Sequence, residues 1–554
     1  MKMNKFSATL LCTLSFSTFS FAQKEPAPNG WHMLDKEVNG YYGISSEKAY
    51  SFIKTKDLKS KTVIVAVIDS GIDTLHEDLK PILWTNPKEI PGNGIDDDKN
   101  GYVDDVHGWN FLGGKDGRNV KEDSYEASRV YHNLSNKYIG KEPEDIDAKD
   151  KAEYEMWVKA KTNILGDVNP EEIAFIKQLY PKFLRGDSII AKDLGKEEYN
   201  CADLKNYKPA DKDANMVKSI CISTCQANNI DDITNKQIFE DFDAKLKKAA
   251  SADNTPKEYR KEIVGDDETN INDRNYGNND IMTGTPMHGT HCAGIIAAVR
   301  NNGKGVDGIA DNVRIMMVRA VPDGDEHDKD IANAIRYAVD NGAQVISMSF
   351  GKDFSPQKQW VDDAFRYAES KNVLLVKAAG NDAKNIDNEE SYPSATYLNG
   401  KGIATNVITV GASSDPKNGG LTATFSNYGK KEVDVFSPGV RIYSTLPGGN
   451  NYGNLNGTSM ACPLVAGIAA LTLEYFPGLS AKQLKYVIEK SAQKPLYKLL
   501  KPGSGEMVNL SDISKTGGIV NAYEALKLAA TLKGERKIQK EVLPKPKMVK
   551  SKKG

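Results

Sequence analysis

The run Lys61 to Asp69, KTVIVAVID, constrains the fold most, because it is β-branched and apolar without alternation. A strand of that kind has no polar face to give to water, so it is buried on both sides, as in a parallel sheet. Similar runs recur at Val313–Arg319, Ala343–Phe350, Val373–Ala379 and Val407–Gly411. Between them lie helix-like stretches at His288–Val299, Lys329–Asp340 and Gln357–Ser370. This alternation predicts an α/β fold: a mostly parallel sheet with helices on both faces and right-handed crossovers.

The alternation stops between about Phe111 and Gly265, where Lys, Glu, Asp and Tyr crowd together and strand-like runs are nearly absent. So long a stretch is unsuited to a structureless loop, and its charge pattern reads as solvated helices. We therefore expect a helical charged insertion at 112–265, dividing the α/β domain at 23–111 and 266–532. Residues 1–22 carry a basic start and the apolar run Phe6–Phe21, the anatomy of a signal peptide. Export to the periplasm or the medium is expected, with no later membrane span. Residues 533–554 read as a basic disordered tail. With 73 Lys and Arg against 75 Asp and Glu, the chain has no net charge that would draw it to nucleic acid. Past the leader the cysteines are Cys201, Cys221, Cys225, Cys292 and Cys462, an odd number. At least one thiol is thus free, and Cys201 is expected to pair with either Cys221 or Cys225.

Three motifs bear chemistry, and each is weak alone. Asp69 follows the first buried strand, where an Asp more often caps a turn. His288 begins HGTHCAG at the head of an Ala/Ile-rich helix; a zinc reading with His291 fails because no Glu lies between them. Ser459, in NGTSMACP, opens an apolar helix, where a serine is ordinarily an N-cap. Together they specify more. The chain order Asp, His, Ser is that of subtilisin-type enzymes. VIDSGID, HGTHCAGIIAA and NGTSMACP closely resemble the motifs of the subtilase family, and Ala378-Ala379-Gly380-Asn381 resembles a fourth.

The resemblance, over about residues 30–111 and 266–530, implies a subtilisin-like fold and serine endopeptidase activity. It implies Ser459 as nucleophile, His288 as general base and then acid, and Asp69 as the group that orients the imidazole. Asn381 would stabilise the oxyanion together with the Ser459 backbone N–H. These roles suit the residues, since a hydroxyl needs a base within reach and imidazole titrates near neutrality. The resemblance further implies that Ser347, Ser349, Phe350 and Gly351 pair with substrate backbone and, with Ala378, Ala379 and Gly380, wall a specificity pocket. Those walls are small and uncharged, which favours an apolar or medium side chain. Leu464 stands where many members have His, and Cys292 lies by the catalytic helix start, as in thiol-bearing members that mercurials inhibit. Cys462 reads as a small core residue. The expected partner is a protein or peptide substrate and the expected state a monomer. A catalytically silent binding protein and a narrow-specificity processing protease are the alternatives.

Asp96-Asp97-Asp98-Lys99-Asn100-Gly101-Tyr102 places oxygen ligands at alternate positions with Gly at the sixth, the pattern of a calcium loop. Asp96, Asp98 and Asn100 would bind through side chains and Tyr102 through its carbonyl. His107 stands at the twelfth position, so Asp104 or Asp105 must complete a structural calcium site. A second acidic loop, Gly265-Asp266-Asp267 through Asn278-Asn279-Asp280, is a weaker metal candidate. The stretch between the leader and Lys61 is short for an inhibitory prodomain, and Gly30–Tyr50 reads as part of the mature fold.

Overall fold

A computed structural model of the chain describes residues 27–536, apart from 167–169, 197–198, 229–233, 252–253, 284–285 and 418–419. The expected leader 1–22 and residues 537–554 of the expected tail lie outside the described residues. Seven parallel strands form the central sheet: β1 (Val63–Asp69), β2 (Gly108–Asn110), β3 (Val313–Arg319), β4 (Val345–Met348), β5 (Leu374–Ala378), β6 (Val407–Ser413) and β7 (Val435–Pro438). Their order across the sheet is β2-β3-β1-β4-β5-β6-β7. A two-stranded antiparallel hairpin, β8 (Ile442–Leu446) with β9 (Asn451–Leu455), lies outside it.

β1 shows why the run at 61–69 had to be buried on both faces. Val63, Val65 and Val67 pack with Cys292, Ile295, Ile296 and Met460, from the helices Met287–Ala297 and Thr458–Tyr475. Ala66 and Ile68 face the other way, to Ile331, Ile335, Val361 and Phe365 of the helices Asp328–Asp340 and Lys358–Ser370. β2, β7 and the hairpin were not visible as apolar runs. β2 has only Gly108, Trp109 and Asn110, and β7 ends on Pro438 at the sheet edge, where a missing N–H is tolerated. Thr458–Tyr475 is long and apolar enough to cross a membrane, but it is buried as a core helix.

Trp31 is fully buried and donates its indole N–H to the Val440 carbonyl at 3.0 Å, so the segment before β1 packs into the core. Between β2 and β3 the described elements are mainly helical: Glu126–Tyr138, Lys151–Gly166, Pro170–Leu194, Lys212–Asn228 and Asn235–Ala250. The last three enclose a small apolar core of their own around Phe183, Ile190, Val217 and Ile238. There Cys201 pairs with Cys225, and Cys221 stays a buried free thiol. The first two helices instead pack Ala127, Val130, Ala160 and Ile164 on Phe354, a residue of the β4–β5 connection.

Candidate active site

Ligand sites in open α/β sheets gather beyond the carboxyl ends of the strands, and the chemistry-bearing residues do so here. Asp69 ends β1 and is 2% exposed. Its Oδ1 accepts from the Ser70 amide at 2.7 Å, and His288 Nδ1 lies 2.8 Å from Oδ1 and 3.0 Å from Oδ2. A carboxylate only accepts, so Nδ1 is the donor and Nε2 is left as the basic nitrogen. His288 occupies the first turn of its helix, and Gly289 next to it has no room for a side chain. A Cβ there would lie 2.1 Å from the Gly71 carbonyl oxygen and 3.1 Å from Asp69 Cβ. His291 has a different character. It is fully buried, its Nε2 lies 3.1 Å from the Gly453 carbonyl oxygen, and burial lowers its pKa to about 3.

Ser459 sits in the first turn of the helix Thr458–Tyr475. Its hydroxyl donates to the Ser349 carbonyl at 3.2 Å, and the Ser349 hydroxyl donates back to the Ser459 carbonyl at 2.9 Å. Cys292, one turn beyond His288, donates its thiol to the same Ser459 carbonyl at 3.5 Å. Its sulfur, a carboxylate oxygen of Asp69 and a ring nitrogen of His288 all lie within 4.8 Å of one another. This buried thiol therefore links the Asp69–His288 pair to the Ser459 turn. Burial holds its pKa well above the ordinary thiol value, so it is a protonated filler rather than a competing nucleophile.

Asn381 lies just beyond β5. Its Oδ1 accepts from both the amide and the hydroxyl of Thr458, each at 2.9 Å, which leaves Nδ2 free to donate elsewhere. A Cβ added to Gly457 would lie 3.5 Å from the Ser459 amide nitrogen and 3.6 Å from Asn381 Nδ2. Two nitrogens able to donate thus lie at similar distances from one point beside the Ser459 turn, a spacing suited to a developing oxyanion. Sequence reasoning missed Thr458 as the orienting residue, although it lies within the NGTSMACP motif. It also missed Asn427, whose side chain bonds the Ala379 carbonyl and the amides of Asp382 and Lys384 and so shapes the turn after β5.

A cavity of about 300 Å³ opens beside Ser459 and is lined by Phe350, Gly351, Ala378, Gly380 and Asn381 among others. Ser347, Ser349 and Ala379 do not line it. Strand alternation turns Ser347 inward, where its hydroxyl meets Cys462 Sγ at 3.6 Å, and Ala379 is fully buried. The lining also differs from the uncharged walls expected, because Asp353 and Asp382 contribute to it; Lys352 borders it too, but its ammonium is held by Glu126. Asp353 is paired with Lys384, both carboxylate oxygens at 3.1 Å from Nζ.

The Asp96 loop is a web of carboxylates. Asp96 accepts from the Asn100 and Gly101 amides, Asp98 from the Asn100 amide, and Asn100 Oδ1 from the Tyr102 amide. Carboxylate oxygens of Glu89, Asp96 and Asp98 lie within 4.8 Å of one another, and Glu89 Oε2 is buried with no hydrogen-bond partner among the described residues. An orphaned carboxylate oxygen beside two further carboxylates fits a hard divalent cation such as calcium. Glu89 lay outside the loop pattern and was missed. Asp104 is committed elsewhere, since its carboxylate caps the amides of Gly92, Asn93 and Gly94. Asp105 accepts from Asn86, Asn100 and Tyr337, and burial, partly offset by those bonds, pushes its pKa up to about 6. In the second acidic loop a side-chain cation already stands among the acids. The Lys329 ammonium is 2.5 Å from Asp266 Oδ2 and 2.6 Å from the Asp267 carbonyl, and Arg260 bonds Asp266 and Asp330.

Residues 60–511 match the model of the subtilase family. The thermophilic serine proteinase of Bacillus sp. (strain AK1) is 42% identical over 208 residues, 37% of this chain and 47% of that protein. Thermitase of Thermoactinomyces vulgaris is 38% identical over 245 residues, 43% of this chain and 74% of that protein. The match thus spans about half the length of the first relative and about three quarters of the second. A solved protease of Pseudoalteromonas arctica PAMC 21717 is 19% identical with a TM-score of 0.45, covering 91% of this chain and 99% of that one. The chain belongs to the subtilase family of serine-type endopeptidases.

Proposed function

We propose that the protein is an exported endopeptidase that cleaves peptide bonds through an acyl-enzyme on Ser459. The observation that carries this reading is the nearness of Asn381 Nδ2 and the Ser459 amide nitrogen to one point at Gly457, together with an imidazole whose Nδ1 is held by Asp69. In the reaction the Ser459 hydroxyl adds to the scissile carbonyl carbon while His288 Nε2 takes its proton. The carbonyl oxygen becomes an oxyanion between the two donors, and Asp69 stabilises the imidazolium without itself taking the proton. His288 then delivers the proton to the leaving amine as the C–N bond breaks. Water, deprotonated by the same nitrogen, releases the acyl group and restores Ser459.

Glu89, Asp96 and Asp98, with Asn100 beside them, are the residues that would hold a calcium ion, which would brace the loop between β1 and β2. Export follows from residues 1–22. The expected test is casein digestion by the purified protein in calcium-containing buffer, lost in Ser459→Ala. A wild type that digests neither casein nor a broad peptide library would leave the silent binding protein standing.

A second reading, a processing protease of narrow specificity, is favoured by the charged lining of the cavity and by the insertion helices packed on Phe354 beside it. Cleavage of the library at one sharp motif supports it, and diffuse cleavage opposes it.

A further inference from the structure

The cavity beside Ser459 is bordered by Phe350 and Gly351, and the next residue, Lys352, is tied to the insertion. The Lys352 ammonium donates to Glu126 Oε2 at 2.8 Å and to the Glu326 carbonyl at 2.7 Å, and lies 3.0 Å from Asp328 Oδ1. All three side chains are nearly inaccessible, at 2% for Lys352, 8% for Glu126 and 3% for Asp328. Glu126 stands in the first turn of the insertion helix Glu126–Tyr138, and Arg129 on the same helix completes the group. Its guanidinium bonds both oxygens of Glu126 and donates to the carbonyls of Ser124, Asp325 and Glu326. Asp328 in turn accepts from the Ser355 hydroxyl and the Gln357 amide.

Three pieces of chain meet at this cluster: the insertion, the segment 325–328 after β3, and the segment 351–357 after β4. A second contact acts on the same spot. Ala127, Val130, Ala160 and Ile164 enclose Phe354, and Lys159 pairs with Glu390 at 2.5 Å, next to Ser391 of the cavity lining. Burying a lysine requires a partner for its charge, and here the insertion supplies a partner that the β4–β5 connection does not contain alone.

We propose that the helix Glu126–Tyr138 is a clamp on the cleft, with Glu126 a positioning residue that sets the Ser349–Gly351 backbone for extended peptide substrates. This rests on the peptidase reading. A substrate that lies along that backbone feels its placement at several bonds, whereas a small acylating reagent meets only Ser459, His288 and the two oxyanion donors.

The experiment compares wild type with Glu126→Gln on three readouts: KM for tetrapeptide amides, hydrolysis of a single-residue ester, and the rate of fluorophosphonate labelling. The expected result is a rise of about tenfold in tetrapeptide KM, with the other two within about twofold of wild type. Glu126→Asp keeps the charge and the fold but shortens the arm by one methylene, and is expected to give a smaller rise in the same direction. No rise in KM in either variant, or a rise in KM accompanied by equal losses in ester hydrolysis and labelling, would overturn the clamp and leave the cluster a role in stability only. Absent labelling of the wild type would instead defeat the peptidase reading.

Discussion

The side-chain carbonyl of Asn381 is held by Thr458, through its amide and its hydroxyl at 2.9 Å each. Oxygen and nitrogen of the amide are thereby assigned by the network, and Nδ2 is left facing the Ser459 turn. The helix that carries Ser459 also fixes the Asn381 amide, so the proposed nucleophile and the proposed oxyanion donor are set by one structural element.

Replacing Asn381 by Leu is expected to lower kcat about 100- to 1,000-fold with little change in KM. Thr458→Val keeps the amide contact and loses the hydroxyl, and should give a smaller loss in kcat. Steady-state kinetics on a chromogenic peptide amide would check both. Equal kcat in wild type and Asn381→Leu would remove the oxyanion assignment.

Asp69→Asn places an amide opposite His288 Nδ1, which favours the tautomer with its proton on Nε2 and removes the base. A loss of about 10,000-fold in kcat is expected near neutral pH. Recovery of much of that activity at wild-type pH and temperature would contradict the pairing.

Glu474, near the C-terminal end of the Ser459 helix, is fully buried and accepts from the Asn312 amide at 3.1 Å. Burial, with Asp311 beside it, pushes its pKa from 4.5 to about 9. The folded state thus keeps a proton that the unfolded state releases. The associated stability is fully present below the unfolded value and is lost as pH rises through about 9. Glu474→Gln should therefore flatten the decline of Tm between pH 5 and 9, measured by calorimetry. Parallel Tm profiles for the two proteins would show that Glu474 does not titrate this way.

Chelation with EDTA is expected to lower Tm, because a cation that binds only the folded loop stabilises it by mass action. Glu89→Gln should narrow the gap between calcium and EDTA samples. If EDTA leaves Tm unchanged, the Glu89–Asp96–Asp98 cluster is not a structural ion site.

Strands buried on both faces, and the helices between them, were legible because their apolar runs leave no alternative placement. The placing of Asp69, His288 and Ser459, the proposed triad, at the ends of strands and starts of helices was legible because three short motifs keep their order and their glycines, and Gly289 has a steric reason to be there. Short edge strands were not, since β2 and β7 owe their conformation to neighbours rather than to their own residues. Glu89, Thr458 and Asn427 were missed for a related reason: each acts by a hydrogen bond or a cluster that only the folded chain assembles. The charged stretch between β2 and β3 reads as a solvated surface in sequence, yet its Glu126 is a buried partner both of Arg129 and of Lys352, a lysine more than 200 residues away.

In the proposed mechanism Ser459 is a nucleophile activated by His288 and Asp69. The most direct measurement of this is mass spectrometry of the Ser459 peptide after brief exposure to a fluorophosphonate. A single covalent adduct on Ser459 is expected in the wild type, with labelling at least about a hundredfold slower in His288→Ala, and none in Ser459→Ala. An adduct on another residue, or equal labelling of wild type and His288→Ala, would contradict it.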